Sequence, residues 1–119
     1  MTKPVVIRRT TKTRDLVRRA KAQLEDSFTD RFLLKGLADS LEIAPRRLRT
    51  IFKGTLGCSP SEFVTKLRIE KASQLLRAGT PIKQAAVEAG FVDQAHLTRR
   101  FKRLTGMTPG RYRAKHAAR

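Results

Sequence analysis

Residues 46–63 read RRLRTIFKGTLGCSPSEF, and residues 95–112 read AHLTRRFKRLTGMTPGRY, the same pattern 49 positions later. Leu48, Phe52, Lys53, Gly57 and Pro60 return as Leu97, Phe101, Lys102, Gly106 and Pro109, while Ser59 and Phe63 are echoed by Thr108 and Tyr112. In the first block Leu48, Ile51, Phe52 and Leu56 form the apolar stripe of an amphipathic helix. Gly57 suits a left-handed cap at its end. Ser59-Pro60-Ser61-Glu62 then opens another helix, with a capping box and a proline at the first helical position. A short apolar segment precedes each block, LADSLEI (Leu37 to Ile43) and AAVEAGF (Ala85 to Phe91), at an offset of 48. Short helix, turn and second amphipathic helix make a helix-turn-helix. One such unit written twice fits a protein that reads two similar surfaces.

Outward from this repeat the chain stays helical. Leu16, Ala20, Leu24 and Phe28 recur at four-residue spacing and predict an amphipathic helix from Thr13 to Phe28. Arg8 and Arg9 fall in a basic N-terminal arm, residues 1–12. Leu37, Ala38 and Leu41 share one face of a short helix, with Gly36 inside it and Glu42 at a turn position where glycine is commoner. The helix opened by Pro60 runs to about Ala78, with Phe63, Leu67, Ala72, Leu75 and Leu76 inward, and Gly79-Thr80-Pro81 stops it. Ala85, Ala86 and Ala89 form a small-residue face, Gly90 turns the chain, and the helix from Gln94 to Leu104 buries Leu97, Phe101 and Leu104. Thr108-Pro109 opens a last short helix through Tyr112 and Arg113. The expected fold is all-α. It has seven helices and two helix-turn-helix subdomains, 13–59 and 79–116, joined by a long linker helix, 60–78.

Charge points to the surface being read. The chain carries 27 Lys+Arg against 10 Asp+Glu, a formal charge of +17 on 119 residues. Solubility alone is served by a magnitude of roughly 2–8 in a small domain, so a polyanionic partner is expected. With no Trp and one Tyr there is little material for an aromatic stacking platform, which disfavours an RNA reader. Cys58 is the single cysteine, so no intrachain disulfide or cysteine-based zinc site can form, and a packing role is expected for it. His96 and His116 have no carboxylates at metal-ligand spacing, no glycine-rich phosphate loop occurs, and no nucleophile motif is placed on a strand-turn-helix. No enzyme, metal or cofactor is expected. The apolar run in residues 1–11 is too short for a signal core and nothing approaches a membrane span, so a cytoplasmic protein without a membrane partner is expected.

A helix entering the major groove buries one stripe in its own domain and offers the other to base edges and phosphates. The outward positions are Arg46, Arg47, Arg49, Thr50 and Lys53 in the first unit. In the second they are Gln94, Ala95, His96, Thr98, Arg99, Arg100, Lys102 and Arg103. Arginine can bridge guanine O6 and N7, glutamine can bridge adenine N6 and N7, and alanine or threonine methyls can touch thymine.

LADSLEIAPRRLRTIFKGTLGCSPSEF, then RIEKASQLLRAG, then IKQAAVEAGFVDQAHLTRRFKRLTGMTPGRYR together resemble the DNA-binding domain of the AraC/XylS family of bacterial transcription regulators. The similarity covers about residues 15–113. Its most diagnostic block is Gly90-Phe91, Asp93-Gln94, Phe101-Lys102, Gly106, Pro109 and Tyr112-Arg113. The resemblance implies two recognition helices entering successive major-groove segments on one face of duplex promoter DNA. Base readout would fall to Arg46, Arg49 and Thr50, and to Gln94, Ala95, His96, Thr98 and Arg99. Backbone contacts would fall to Arg47, Lys53, Arg100, Lys102 and Arg103. It further implies a nucleoid-associated activator that recruits RNA polymerase and, with both readers in one chain, binds as a monomer. Ala95 is short where family members often carry a longer polar side chain, and Leu33 replaces the hydroxyl cap common before the first helix of the first unit. Many members carry a separate effector domain for which this chain has no room, so it resembles the small stand-alone activators or an excised output domain. A sequence-tolerant architectural DNA binder is the alternative that the charge permits.

Overall fold

The computed structural model describes residues 2–31 and 33–117, folded into seven α-helices with no strand among them. These are α1 (Thr2–Ser27), α2 (Leu33–Ser40), α3 (Pro45–Leu56), α4 (Pro60–Arg77), α5 (Ile82–Ala89), α6 (Gln94–Thr105) and α7 (Pro109–Ala117). The chain divides into two compact units. One contains residues 1–27 and 32–63, the other residues 28–31 and 64–119. The segment expected as a separate linker, 60–78, is thus shared: the first turn of α4 through Phe63 belongs to the first unit and the rest to the second. The short connection Phe28–Arg31, between α1 and α2, also belongs to the second unit.

In the first unit α1 packs against α2 and α3. Its buried stripe is Leu16, Val17, Ala20 and Leu24, and α2 and α3 bury Leu37, Ala38, Leu48 and Phe52, with Leu41 just beyond α2. Phe63 meets Phe52 edge to face, ring centroids 5.6 Å apart, a geometry favoured by the aromatic quadrupoles. The backbone is helical from Thr2, so α1 passes through the stretch expected as an arm. Pro4 lies in the first turn, where its missing N–H breaks no helical bond. Val5-Val6-Ile7 is an unbroken apolar run without helical period, so the sequence pattern did not disclose this turn.

In the second unit Ile69, Ala72 and Leu76 of α4 pack with Ala85, Ala86 and Ala89 of α5, Phe91, and Leu97 and Phe101 of α6. Leu75, Ile82 and Tyr112 close the cluster. The alanine face of α5 lets neighbouring side chains approach its backbone closely. The capping box at the head of α4 is formed as the sequence dictates. The Glu62 N–H donates to Ser59 Oγ at 3.1 Å, and the Ser59 N–H donates to Glu62 Oε1 at 2.9 Å.

The two helix-turn-helix turns match bond for bond. Ile43 N–H donates to Ala38 O at 3.1 Å and Phe91 N–H to Ala86 O at 2.9 Å. At the ends of α3 and α6, Gly57 and Gly106 donate to Lys53 O and Lys102 O, both at 2.8 Å. Glu42 takes the left-handed conformation, φ 56°, that Gly90 takes at φ 99° in the second turn.

The burial expected of the last-turn leucines is also corrected. Leu104 is 48% exposed, as Leu56 at the end of α3 is 37% exposed. Periodicity sets the direction of a side chain, not whether a neighbour lies there. These last-turn leucines run past the clusters that hold Phe101 and Phe52. On α4 the sequence reading missed Val64, Arg68 and Ile69, which are buried, while Phe63, Leu67 and Leu75 are partly covered.

Phe52→Ala and Phe101→Ala should each lower unfolding free energy by about 3–5 kcal/mol, whereas Leu104→Ala should stay within about 0.5 kcal/mol. Denaturant melts followed by circular dichroism check both. A Leu104→Ala loss as large as that of Phe101→Ala would return Leu104 to the core.

Candidate nucleic-acid interface

Burying Leu48 and Phe52 on one side of α3 leaves Arg46, Arg47, Arg49, Thr50 and Lys53 exposed. Arg46, Arg49, Thr50 and Lys53 stand at i, i+3, i+4 and i+7, so they share one face. Arg46, Arg47 and Thr50 border an open hollow of about 570 Å³ with Thr13, Ala44 and Ile51. Arg49 edges a second hollow, about 390 Å³, beside Leu34, Leu37, Pro45 and Ser59. The Thr50 hydroxyl donates back to Arg46 O at 3.0 Å.

On α6, Leu97 and Phe101 are buried, and Gln94, Ala95, Arg99, Arg100, Lys102 and Arg103 are exposed. Ala95, Thr98, Arg99 and Lys102 repeat the spacing of the α3 face. Thr98 is half-buried, and its hydroxyl donates to Gln94 O at 2.9 Å. Both threonines have therefore spent their proton on their own helix, which leaves the oxygen lone pairs and the methyl for a partner. Asp15 pairs with Arg18 and Arg19 on α1, and among the described residues no side-chain ion pair engages the cations of α3 or α6.

His96 is placed differently from its neighbours on α6. Its ring is half-buried, edge-on to Phe91 with centroids 5.2 Å apart. Nδ1 accepts a long bond from the Val92 N–H at 3.5 Å, which leaves Nε2 as the donor atom. Asp93, extended at φ −159°, caps α6 by accepting the His96 N–H on Oδ1 at 2.8 Å. Burial first, then the neighbouring Arg100 and Arg99, push the imidazole pKa below its ordinary value, against the opposing pull of Asp93. The cap was legible in principle, since an Asp directly before an amphipathic run is a helix-start signal.

Three arginines serve the framework instead. Arg113 donates from Nε to Thr80 O at 3.0 Å and from Nη2 to Gly79 O at 2.8 Å, closing the end of α4. Arg77 Nη1 donates to the Tyr112 hydroxyl at 2.6 Å. Arg68, 8% exposed, donates from Nε to Phe28 O at 2.6 Å and from Nη2 to Asp30 O at 2.9 Å. Its sequence signal was its place between Val64 and Ala72 at four-residue spacing.

Two helix-turn-helix units, each with an exposed cationic second helix, define a double-headed DNA-binding domain. Residues 37–115 match a family described as a helix-turn-helix domain. An AraC-like transcription regulator of Streptomyces lividans is 40% identical over 78 residues, 65% of this chain and 26% of the relative. The transcriptional activator RhaS of Escherichia fergusonii is 32% identical over 89 residues, 74% of this chain and 32% of the relative. The C-terminal domain of AraT, a response regulator from Geobacillus stearothermophilus, superposes with a TM-score of 0.79 at 33% identity, covering 84% of each chain. The chain belongs to the AraC/XylS family and is a DNA-binding domain of bacterial transcription regulation. It spans about a third or less of the length of these two curated relatives. Among the described residues no helix is long and apolar enough to cross a membrane.

The depressed His96 pKa fixes a sign. The unfolded chain takes up this proton near pH 6.5, while the folded protein resists it, so the unfolded state binds more protons below that pH. The His96 contribution is complete above about pH 6.5 and is lost as pH falls through the depressed folded value. Melting temperature should therefore drop more in the wild type than in His96→Gln between about pH 7.5 and 5.5. Parallel declines would remove His96 from the pH response.

Proposed function

We propose that this domain binds duplex promoter DNA as a monomer, with α3 and α6 in successive major-groove segments of an asymmetric site, and activates transcription by recruiting RNA polymerase. The observation that carries the reading is the duplicated recognition helix: the same buried Leu and Phe, and the same i, i+3, i+4, i+7 face opposite them, exposed but for the half-buried Thr98, 49 positions apart in one chain. A symmetric site read by a dimer needs one reader per chain; two unequal readers in one chain suit an asymmetric site. Arg46, Arg49 and Thr50 read bases in one segment. Gln94, Ala95, Thr98 and Arg99 read them in the other, with His96 offering Nε2 as donor. Arg47, Lys53, Arg100, Lys102 and Arg103 hold phosphates. The activating role is supported by the name that the Escherichia fergusonii relative carries. The charge of +17 favours a second reading, a sequence-tolerant architectural binder.

Selecting bound sites from a random duplex pool separates the two, because a specific regulator typically gains about 10³–10⁷ over non-specific DNA. Selected sequences no tighter than scrambled ones would leave the architectural reading. Arg49→Ala and Arg99→Ala should each relax base preference in one segment, by roughly 1–3 kcal/mol for a bidentate contact to guanine. Lys53→Ala and Lys102→Ala should weaken all duplexes alike and flatten the salt dependence. With about 6–10 phosphates held, affinity should fall roughly 10³–10⁵-fold between about 50 and 200 mM salt; a flat log–log plot would rule out DNA binding of this kind. Purified transcription with the selected site intact or scrambled tests activation. Binding without a site-dependent rise in transcript would remove the activator role.

A further inference from the structure

Arg68 is a cation in the buried stripe of α4, an unfavourable placement unless its donors are satisfied. Its fork is occupied by two carbonyls of one short segment, Phe28 O at 2.6 Å and Asp30 O at 2.9 Å. Burial lowers its pKa and Asp30 raises it. The planar guanidinium spans carbonyls two residues apart; an ammonium has no matching fork.

The other side of this clasp is the turn before α6. A Cβ added to Gly90 would lie 2.8 Å from Thr29 Cα, 2.9 Å from Thr29 O and 3.0 Å from Arg68 Nε. Thr29 sits between the two carbonyls that Arg68 holds, so its backbone is seated directly on Gly90. From there the chain is tightly determined. Phe91 is buried, Val92 N–H meets His96 Nδ1, and Asp93 caps the first turn of α6. That first turn carries Gln94, Ala95 and His96.

We propose that Arg68 is a positioning residue for the second reader, holding the Phe28–Arg31 segment against the α5–α6 turn and so fixing the first turn of α6 for base readout. The proposal rests on the DNA-reading function above. It also adds to the reason for glycine in this turn: beyond the backbone conformation at φ 99°, a Cβ at Gly90 would strike Thr29 backbone, while Glu42, at φ 56° in the matching turn, is exposed.

The test uses the whole chain and its selected duplex. Base pairs are assigned to α6 or α3 by whether Arg99→Ala or Arg49→Ala relaxes them. For Arg68→Met, Arg68→Lys and Gly90→Ala, the readout is the ratio of affinities for the selected duplex and for one with a single substituted base pair. Loss of folded protein lowers both affinities by one factor and leaves that ratio unchanged, so partial unfolding cannot imitate the effect. Arg68→Met and Gly90→Ala should lower discrimination at α6-dependent pairs roughly tenfold, on the scale of one bidentate contact, and leave α3-dependent pairs unchanged. Arg68→Lys, which keeps the charge and can meet one of the two carbonyls, should lose a smaller part. Discrimination retained at α6-dependent pairs, or lost equally in both segments, overturns the positioning role. A wild type without any base preference would overturn the DNA-reading function instead.

Discussion

Everything in this chain depends on burying one phenylalanine per unit. Phe52 and Phe101 are both 0% exposed, and each is the largest apolar group that its recognition helix contributes. A helix of 12 residues is marginal in water on its own. It persists because one stripe is driven into a core, at roughly 25 cal/mol per Å² of apolar surface removed from water. That burial also sets rotation about the helix axis. With Leu48 and Phe52, or Leu97 and Phe101, pointing inward, the residues at i, i+3, i+4 and i+7 of the opposite face turn outward, Thr98 alone among them remaining half-buried. Stability and the exposed cationic face are two consequences of one packing constraint.

This coupling explains how much was legible. Leu48, Phe52, Leu97 and Phe101 announce themselves by spacing, the capping box by Ser59 and Glu62, and the turns by Gly57, Gly90 and Gly106. The exposed faces of α3 and α6 follow by elimination, as does the fold of seven helices. Three features resisted. Leu104 and Leu56 have the right phase but lie at helix ends, where phase says nothing about a neighbour. The first turns of α1 lack an apolar stripe, so no periodicity marks them. Arg68 breaks the rule that arginine is surface material, because its donors are met by backbone carbonyls that no local pattern reveals. The chemical roles of the exposed side chains are a different matter. Spacing places Arg49 or Arg99 on a face, and only a bound duplex assigns each to a base or a phosphate.

The arginines divide by what they are bonded to. Arg68, Arg77 and Arg113 are committed to carbonyls or a tyrosine hydroxyl inside the second unit. Those of α3 and α6 stand exposed without a carboxylate partner among the described residues. Net charge alone merges these two populations. A basic chain can commit part of its charge to scaffolding, and what identifies a polyanion-binding face is the clustering of unengaged cations on one side of one helix.

The two helix-turn-helix units, alike in core and turn, differ at the residue that opens the second helix. At the head of α6 Asp93 accepts the His96 N–H, so this turn is closed by the protein itself. At the head of α3 the corresponding residue is Ala44, which offers no side-chain acceptor, and Pro45 follows it. The free amides there are left to solvent or to oxygen atoms of a ligand, and Arg46 and Arg47 stand beside them. A carboxylate at that position would stabilise the helix by about 1 kcal/mol and would also set a negative charge beside those arginines. Its absence from α3 keeps that helix head positive, and its presence on α6 trades part of that positive potential for a fixed first turn. The repeat therefore encodes two helix-turn-helix units that share a scaffold but not an electrostatic balance.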